Sequence, residues 1–271
     1  MPSKKYSVSV LIRTRDVESF LQQLLLRLSS QTLQPYEMVV VDNFSSIEKL
    51  EEMRKFLSSA KKDFFSKNVG LKLVPIGDKE FSHPYSTNVG VFVADADLIC
   101  ITNGHSLPSS DVWLESGVRH FNDPKVAGVG GYFSPHKNGT LWEKLVYNSW
   151  KKLNEVSKAY VRDSFFSTID CLLRKSLWEE YPFDEKIPNE IPYAGKFGGE
   201  DYDWAIEMQA RGYKIIVEPK FSVRHSHKEK IEQLLPKLLI WRQIRKKIRR
   251  LKRPRKSFTK IWKTKPAYYN I

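Results

Sequence analysis

Apolar runs alternate along this chain with stretches whose apolar residues recur at helical spacing. Residues 7–12, SVSVLI, read as a buried strand, and residues 17–32 then place Phe20, Leu24 and Leu28 on one helical face. Residues 37–46, EMVVVDNFSS, form a second continuous apolar strand ending at Asp42. A helix over 47–60, a strand over 71–76, a helical segment over 85–96 and a strand over 97–103 continue the alternation. Uniformly apolar strands alternating with helices are the pattern of a mostly parallel α/β sheet covered by helices on both faces. The second half is less regular. Residues 126–135, VAGVGGYFSP, suggest a strand with close backbone approach at its glycines. Residues 164–185 read as strand, helix and turn. Gly198-Gly199 then opens a loop into an acidic helix start that Gly212 stops, and a strand leads to FSVRHSH at 221–227.

Ligands of such sheets bind beyond the carboxyl ends of the strands. That rule selects Thr14, Arg15 and Asp16 after the first strand, Asp42 to Ser45 after the second, and Asn103-Gly104-His105 after a later one. Each cluster also has a plainer reading: Asp16 as a helix cap, Asp42-Asn43 and Asn103-Gly104 as turns. Glu200, Asp201 and Asp203 crowd a helix start, either to complement its dipole or to supply a general base. His225 and His227 share one face of an extended segment. They are either surface residues or, with His105, imidazole ligands for a divalent cation.

Composition changes this picture in two places. No apolar stretch approaches the roughly 20 residues that span a bilayer, and the N-terminal apolar run is too short for an export signal, which predicts a cytoplasmic protein. Cys100 and Cys171 sit among apolar neighbours and read as buried thiols. The formal charge is +14, and residues 237–271 hold 14 Lys or Arg with no Asp or Glu, leaving the remainder balanced at 31 of each sign. In that tail Leu238, Trp241, Ile244, Ile248 and Leu251 fall near helical spacing among the cations. Such a helix either lies on an anionic membrane surface or packs its apolar stripe on the body. A balanced body offers no basic face for nucleic acid. The expected division is a body over 1–228 and a basic amphipathic extension over 229–271.

Taken in order, SVLIRTRD, VVVDNFSS, STNVGVFVADADLICITNGHSLP, GGEDYDWAIEMQARGY and EPKFSVRHSH resemble the inverting glycosyltransferase family 2, particularly its bacterial rhamnosyltransferase-like members, over roughly residues 6–227. The resemblance implies a nucleotide-sugar-binding fold of the GT-A type, a divalent cation (Mn or Mg), and transfer from a dTDP- or UDP-sugar to a glycan or lipid-linked glycan in surface polysaccharide synthesis. It implies that Thr14, Arg15 and Asp16 line the nucleotide pocket and that Asp42 accepts a hydrogen bond from the base. Asn88 would lie in the segment crossing the donor site, and Asp97 at the acidic position before the central strand. Asn103-Gly104-His105 stands where the family carries Asp-x-Asp. That departure leaves Asn103 for a ribose or sugar oxygen and His105, with His225 and His227, for the metal. Asp201 would be the general base and Glu200 a supporting carboxylate. The tail would hold the protein at the inner face of the cell membrane. The missing carboxylates also admit a different class of protein, a non-catalytic nucleotide-binding or scaffold relative.

Overall fold

The computed structural model describes residues 6–17, 19–43, 45–156, 166–256 and 264–271. Strands β1 (Val8–Thr14), β2 (Glu37–Asn43), β3 (Gly70–Ile76) and β4 (Leu98–Asn103) alternate with helices α1 (Leu21–Ser29), α2 (Ile47–Phe64) and α3 (His83–Val93). Short β5 (Leu107–Pro108), α4 (Trp113–Val118), β6 (Val126–Gly130), β7 (Phe133–Ser134) and α5 (Leu141–Val156) follow. Next come β8 (Asp170–Arg174), α6 (Lys175–Glu180), α7 (Ile187–Glu190), α8 (Ala194–Phe197) and α9 (Glu200–Ala210). The described elements end with β9 (Lys214–Val217), β10 (Val223–Arg224), α10 (Ile231–Ile248) and β11 (Tyr269–Asn270).

The main sheet runs β11-β3-β2-β1-β4-β8-β6-β9. Strand residues alternate between two apolar layers, as a sheet buried on both faces requires. Val10, Ile12, Met38, Val40 and Cys100 pack toward Leu24, Leu28 and Met53 of α1 and α2. Leu11, Val39, Val41, Ile99 and Ile101 pack on the other side with Val89, Trp178 and Trp204 of α3, α6 and α9. Each such side chain, fully buried, contributes about 1.5–3 kcal/mol. Cys100 and Cys171 are buried free thiols, as expected.

The strands β3, β2, β1 and β4 are parallel, whereas β8 enters antiparallel between β4 and β6. This reversal matters for the site. Pairing Thr102 with Asp170 and Arg13 with Asn103 sets the segment before β8 beside the carboxyl ends of β1 and β4. A separate small sheet, β5-β10-β7, pairs Arg224 with Leu107. It thereby draws the chain after β10 toward the turn after β4.

The described part of the tail packs on the body. Ile244 and Ile248 of α10 are buried against Ile187, Ile191, Ala194 and Tyr202, so the apolar stripe is used on the body. Trp241 Nε1 donates to the Phe197 carbonyl at 3.1 Å. Beyond α10, Arg253 and Arg255 enter an acidic pocket under α9, and β11 pairs with β3 at the sheet edge. Residues 257–263 of the expected extension lie outside the described residues. Among the described residues, no helix is long and apolar enough to cross a membrane.

Candidate active site

A cavity of about 470 Å³ opens at the carboxyl ends of β1 and β4. Its walls include Thr14, Arg15, Asn103, His105, Glu200, Asp201, His225 and His227, eight residues singled out from the sequence. They arrive from four separate segments.

At its floor lies Arg13, buried at 8% exposure. Its guanidinium donates to Thr87 Oγ1 at 2.9 Å, to Asn103 Oδ1 at 3.0 Å and to the Thr168 carbonyl at 3.0 Å. Burial lowers its pKa, opposed by the charges of Glu200 and Asp201. Asn103 therefore spends its amide oxygen on a cation.

The acidic pair starts α9. Gly198 and Gly199 precede it with φ of +76° and +136°, a region that side chains with a Cβ rarely adopt. Asp201 Oδ2 accepts from the Thr168 N–H at 3.1 Å, and Glu200 Oε2 from the Gly199 N–H at 2.9 Å. Burial, then repulsion from Asp201, pushes the Glu200 carboxyl up to about 7, against the pull of Arg13. Asp203 is different: it is fully buried and bonded to the Tyr181 hydroxyl and to Arg253 and Arg255, so it holds the helix down.

The three histidines meet at the rim. Their candidate ligand nitrogens all lie within 4.8 Å of one another. His105 sits in the turn between β4 and β5, and His225 and His227 follow β10, so the β5–β10 pairing assembles them. His225 Nδ1 lies 2.9 Å from Ser106 Oγ, which turns its Nε2 to within 3.1 Å of His227 Nε2. Burial, then the neighbouring His105 and His227, holds His225 well below its usual pKa, keeping the ring neutral. Two ring nitrogens at that separation share either a proton or a cation. A cation with bonds of about 2.1 Å places adjacent ligands about 3 Å apart, so the donor set fits a bound metal ion.

The other expected contacts stand elsewhere. Asp42 is buried, accepting from the Ser45 hydroxyl at 2.6 Å, and burial raises its pKa. Ser45 Oγ also accepts from the Asp16 N–H at 2.8 Å, so Asp16 and Asp42 tie two loops together behind the lining. Asp16 caps no helix, since α1 starts at Leu21. Asn88 does not line the cavity: its amide is bonded to the Phe183 carbonyl and N–H, Glu185 and Trp178 Nε1, a buried structural cross-link. Asp97 precedes the opposite end of β4, where it accepts from the Ser7 N–H and hydroxyl.

Sequence reasoning missed Arg13, His83, Thr168, Lys196, Lys237 and Arg245 among the lining residues. An arginine inside an apolar strand was the available signal for the first. Burial, then the charge of Arg13, holds the His83 imidazole down to about 4, so it is neutral.

Residues 9–181 match the model of glycosyl transferase family 2. The O-antigen chain rhamnosyltransferase RfbN of Salmonella typhimurium is 27% identical over 229 residues, covering 81% of this chain and 66% of that protein. The O-antigen chain rhamnosyltransferase WbaN of Salmonella anatum is 26% identical over 211 residues, 73% of this chain and 58% of that one. The chain thus spans two thirds or less of these relatives' lengths. Among solved structures, the mannosyltransferase PcManGT of Pyrobaculum calidifontis, in complex with GDP-Man and Mn2+, superposes with a TM-score of 0.65 at 20% identity, covering 93% of this chain and 67% of that one. That likeness shows the GT-A fold.

Proposed function

Because the chain belongs to glycosyl transferase family 2, we propose that it is an inverting glycosyltransferase. It would move a sugar from a dTDP- or UDP-sugar to a hydroxyl of a glycan or lipid-linked glycan during surface polysaccharide synthesis. The observation that carries this reading is the meeting of the Glu200-Asp201 pair, the Arg13-Asn103 pair and three histidines in one cavity at the strand ends. Transfer by rhamnosyltransferase relatives and the GDP-Man and Mn2+ bound by the mannosyltransferase support the reaction class.

Asp201, held by the Thr168 amide at the start of α9, takes the proton from the attacking acceptor hydroxyl. Glu200, protonated below about pH 7, then adds no second negative charge beside it. Arg15, Lys196, Lys237 and Arg245 line the same cavity and favour the diphosphate as it leaves. His105, His225 and His227 would hold a divalent cation, which neutralises charge on that diphosphate. Attack and departure on opposite faces of the anomeric carbon invert its configuration.

The test is the anomeric configuration of the product. A panel of dTDP-, UDP- and GDP-sugars is offered with lipid-linked and free glycan acceptors, and products are assigned by NMR. Inversion from a dTDP- or UDP-sugar supports the proposal. Retention, or no transfer from any donor, overturns it.

A further inference from the structure

Resting on the reading that the histidines hold the reaction's cation, we propose that this site selects a borderline transition-metal ion of the Co(II), Ni(II), Zn(II) or Fe(II) kind and discriminates against Mg(II). All three side chains in the cluster offer nitrogen, and the group contains no carboxylate. Imidazole suits the borderline ions, whereas Mg(II) demands an octahedron of oxygens and gives up its water reluctantly. Among the divalent first-row transition ions, Mn(II) is the weakest binder to such a set.

The surroundings withhold the oxygens that would reverse this order. Asn103, two residues before His105, contributes a neutral amide whose oxygen accepts from Arg13 at 3.0 Å. Glu143, fully buried, has its Oε1 taken by the N–H groups of His227 at 3.1 Å and Glu229 at 3.0 Å, and its Oε2 by Thr140 N–H at 2.8 Å. That carboxylate shapes the loop carrying His227. The His225 ring is held from behind at Nδ1 by Ser106 Oγ at 2.9 Å, and the backbone that carries His105 is fixed where its carbonyl meets His136 Nε2 at 2.9 Å. Such outer contacts orient metal-ligating rings. His225 is buried while His227 is exposed, so the cluster is closed on the protein side and open where diphosphate oxygens would complete the coordination.

Three neutral ligands leave the ion its full double charge. Cation and nucleoside diphosphate therefore bind each other's complex more tightly than either binds the free protein. This coupling is a second signature of a nitrogen-only site.

The experiment uses the untagged full chain, stripped with chelator and titrated with Co(II), whose visible d–d bands report its ligands. Co(II) is expected to bind more tightly than Mg(II) by on the order of 100-fold or more in competition. The bands should be lost or weakened about tenfold in His105→Ala and in His227→Ala. His227 is exposed, so its variant tests the site without disturbing the core, and metal-free melting curves verify folding of both. UDP or dTDP should shift the bands and tighten Co(II). Displacement of Co(II) by equimolar Mg(II), or bands unchanged in both variants, overturns the proposal. If the bands behave as expected but no sugar is transferred from any donor, the transferase reading fails and the metal preference stands. Full turnover with Mg(II) as sole cation leaves that reading standing and sinks the preference.

Discussion

Glu200 and Asp201 adjoin in sequence yet stand in different surroundings. Glu200 is at 4% exposure and its carboxyl is raised from an ordinary 4.5 to about 7. A group whose folded pKa is raised binds more protons folded than unfolded, so stability falls as pH rises from about 4.5 to about 7. Thermal melts across that window should show this decline, and Glu200→Gln should flatten it; an unchanged slope in the variant would show that another group is responsible. The acidic pair and the histidines were legible in the sequence because polar residues at strand and helix ends stand out from apolar runs. Arg13 and His83 were not, since their roles come from neighbours distant in the chain: Thr87, Asn103 and Thr168 for the first, Arg13 for the second. Asn88 and Asp97 show the converse. A polar residue in an apolar segment can be a buried cross-link or a strand-end tie as readily as a ligand contact.

Among elements, α9 carries the acidic pair on one turn and is clamped on the next. Asp203 and Glu207 are fully buried and bonded to Arg253 and Arg255 from the tail. Losing Arg253 leaves Arg255 on Asp203 and Arg211 on Glu207, so the cost is that of the lost charged hydrogen bonds, about 1–3 kcal/mol. Arg253→Ala should lower stability to urea by that order; a loss under about 0.5 kcal/mol, the scale of ordinary surface changes, would contradict the clamp. α10 presses on the same helix from the other end. A Cβ on Gly199 would stand 2.9 Å from Ile244 Cγ2 at a φ of +136°, so Gly199→Ala should misplace the acidic pair and cut turnover. Relief by a second change, Ile244→Ala, should be partial, because the backbone strain remains. The period of β1 to β4 and α1 to α3 made those elements legible. The antiparallel entry of β8 and the two-residue pairing of β5 with β10 were not, because both are set by contacts between distant segments.

At the scale of the whole molecule, the described residues of the basic tail pack on the body through α10, Arg253, Arg255 and β11. The tail's cations divide: Arg253, Arg255 and Lys265 pair with the body, while Arg242, Lys246 and Arg250 are exposed on or just beyond α10. With Leu235 and Leu239 exposed on the same helix, we propose peripheral contact with an anionic membrane through this outer side. Each cation near such a surface contributes about 1 kcal/mol. Replacing Arg242, Lys246 and Arg250 by Gln should weaken co-sedimentation with phosphatidylserine vesicles more than tenfold, and unchanged sedimentation would refute the contact. The charge asymmetry was legible; its division was not, because pairing with buried acids of α9 depends on the packed structure. The proposed role of Asp201 as the base of a sugar transfer is tested most directly by nucleoside diphosphate release at saturating donor and acceptor, comparing the native chain with Asp201→Asn. Loss of about 10²–10⁴-fold in kcat, with donor affinity retained, is the expected result. Release at the native rate by Asp201→Asn would contradict it.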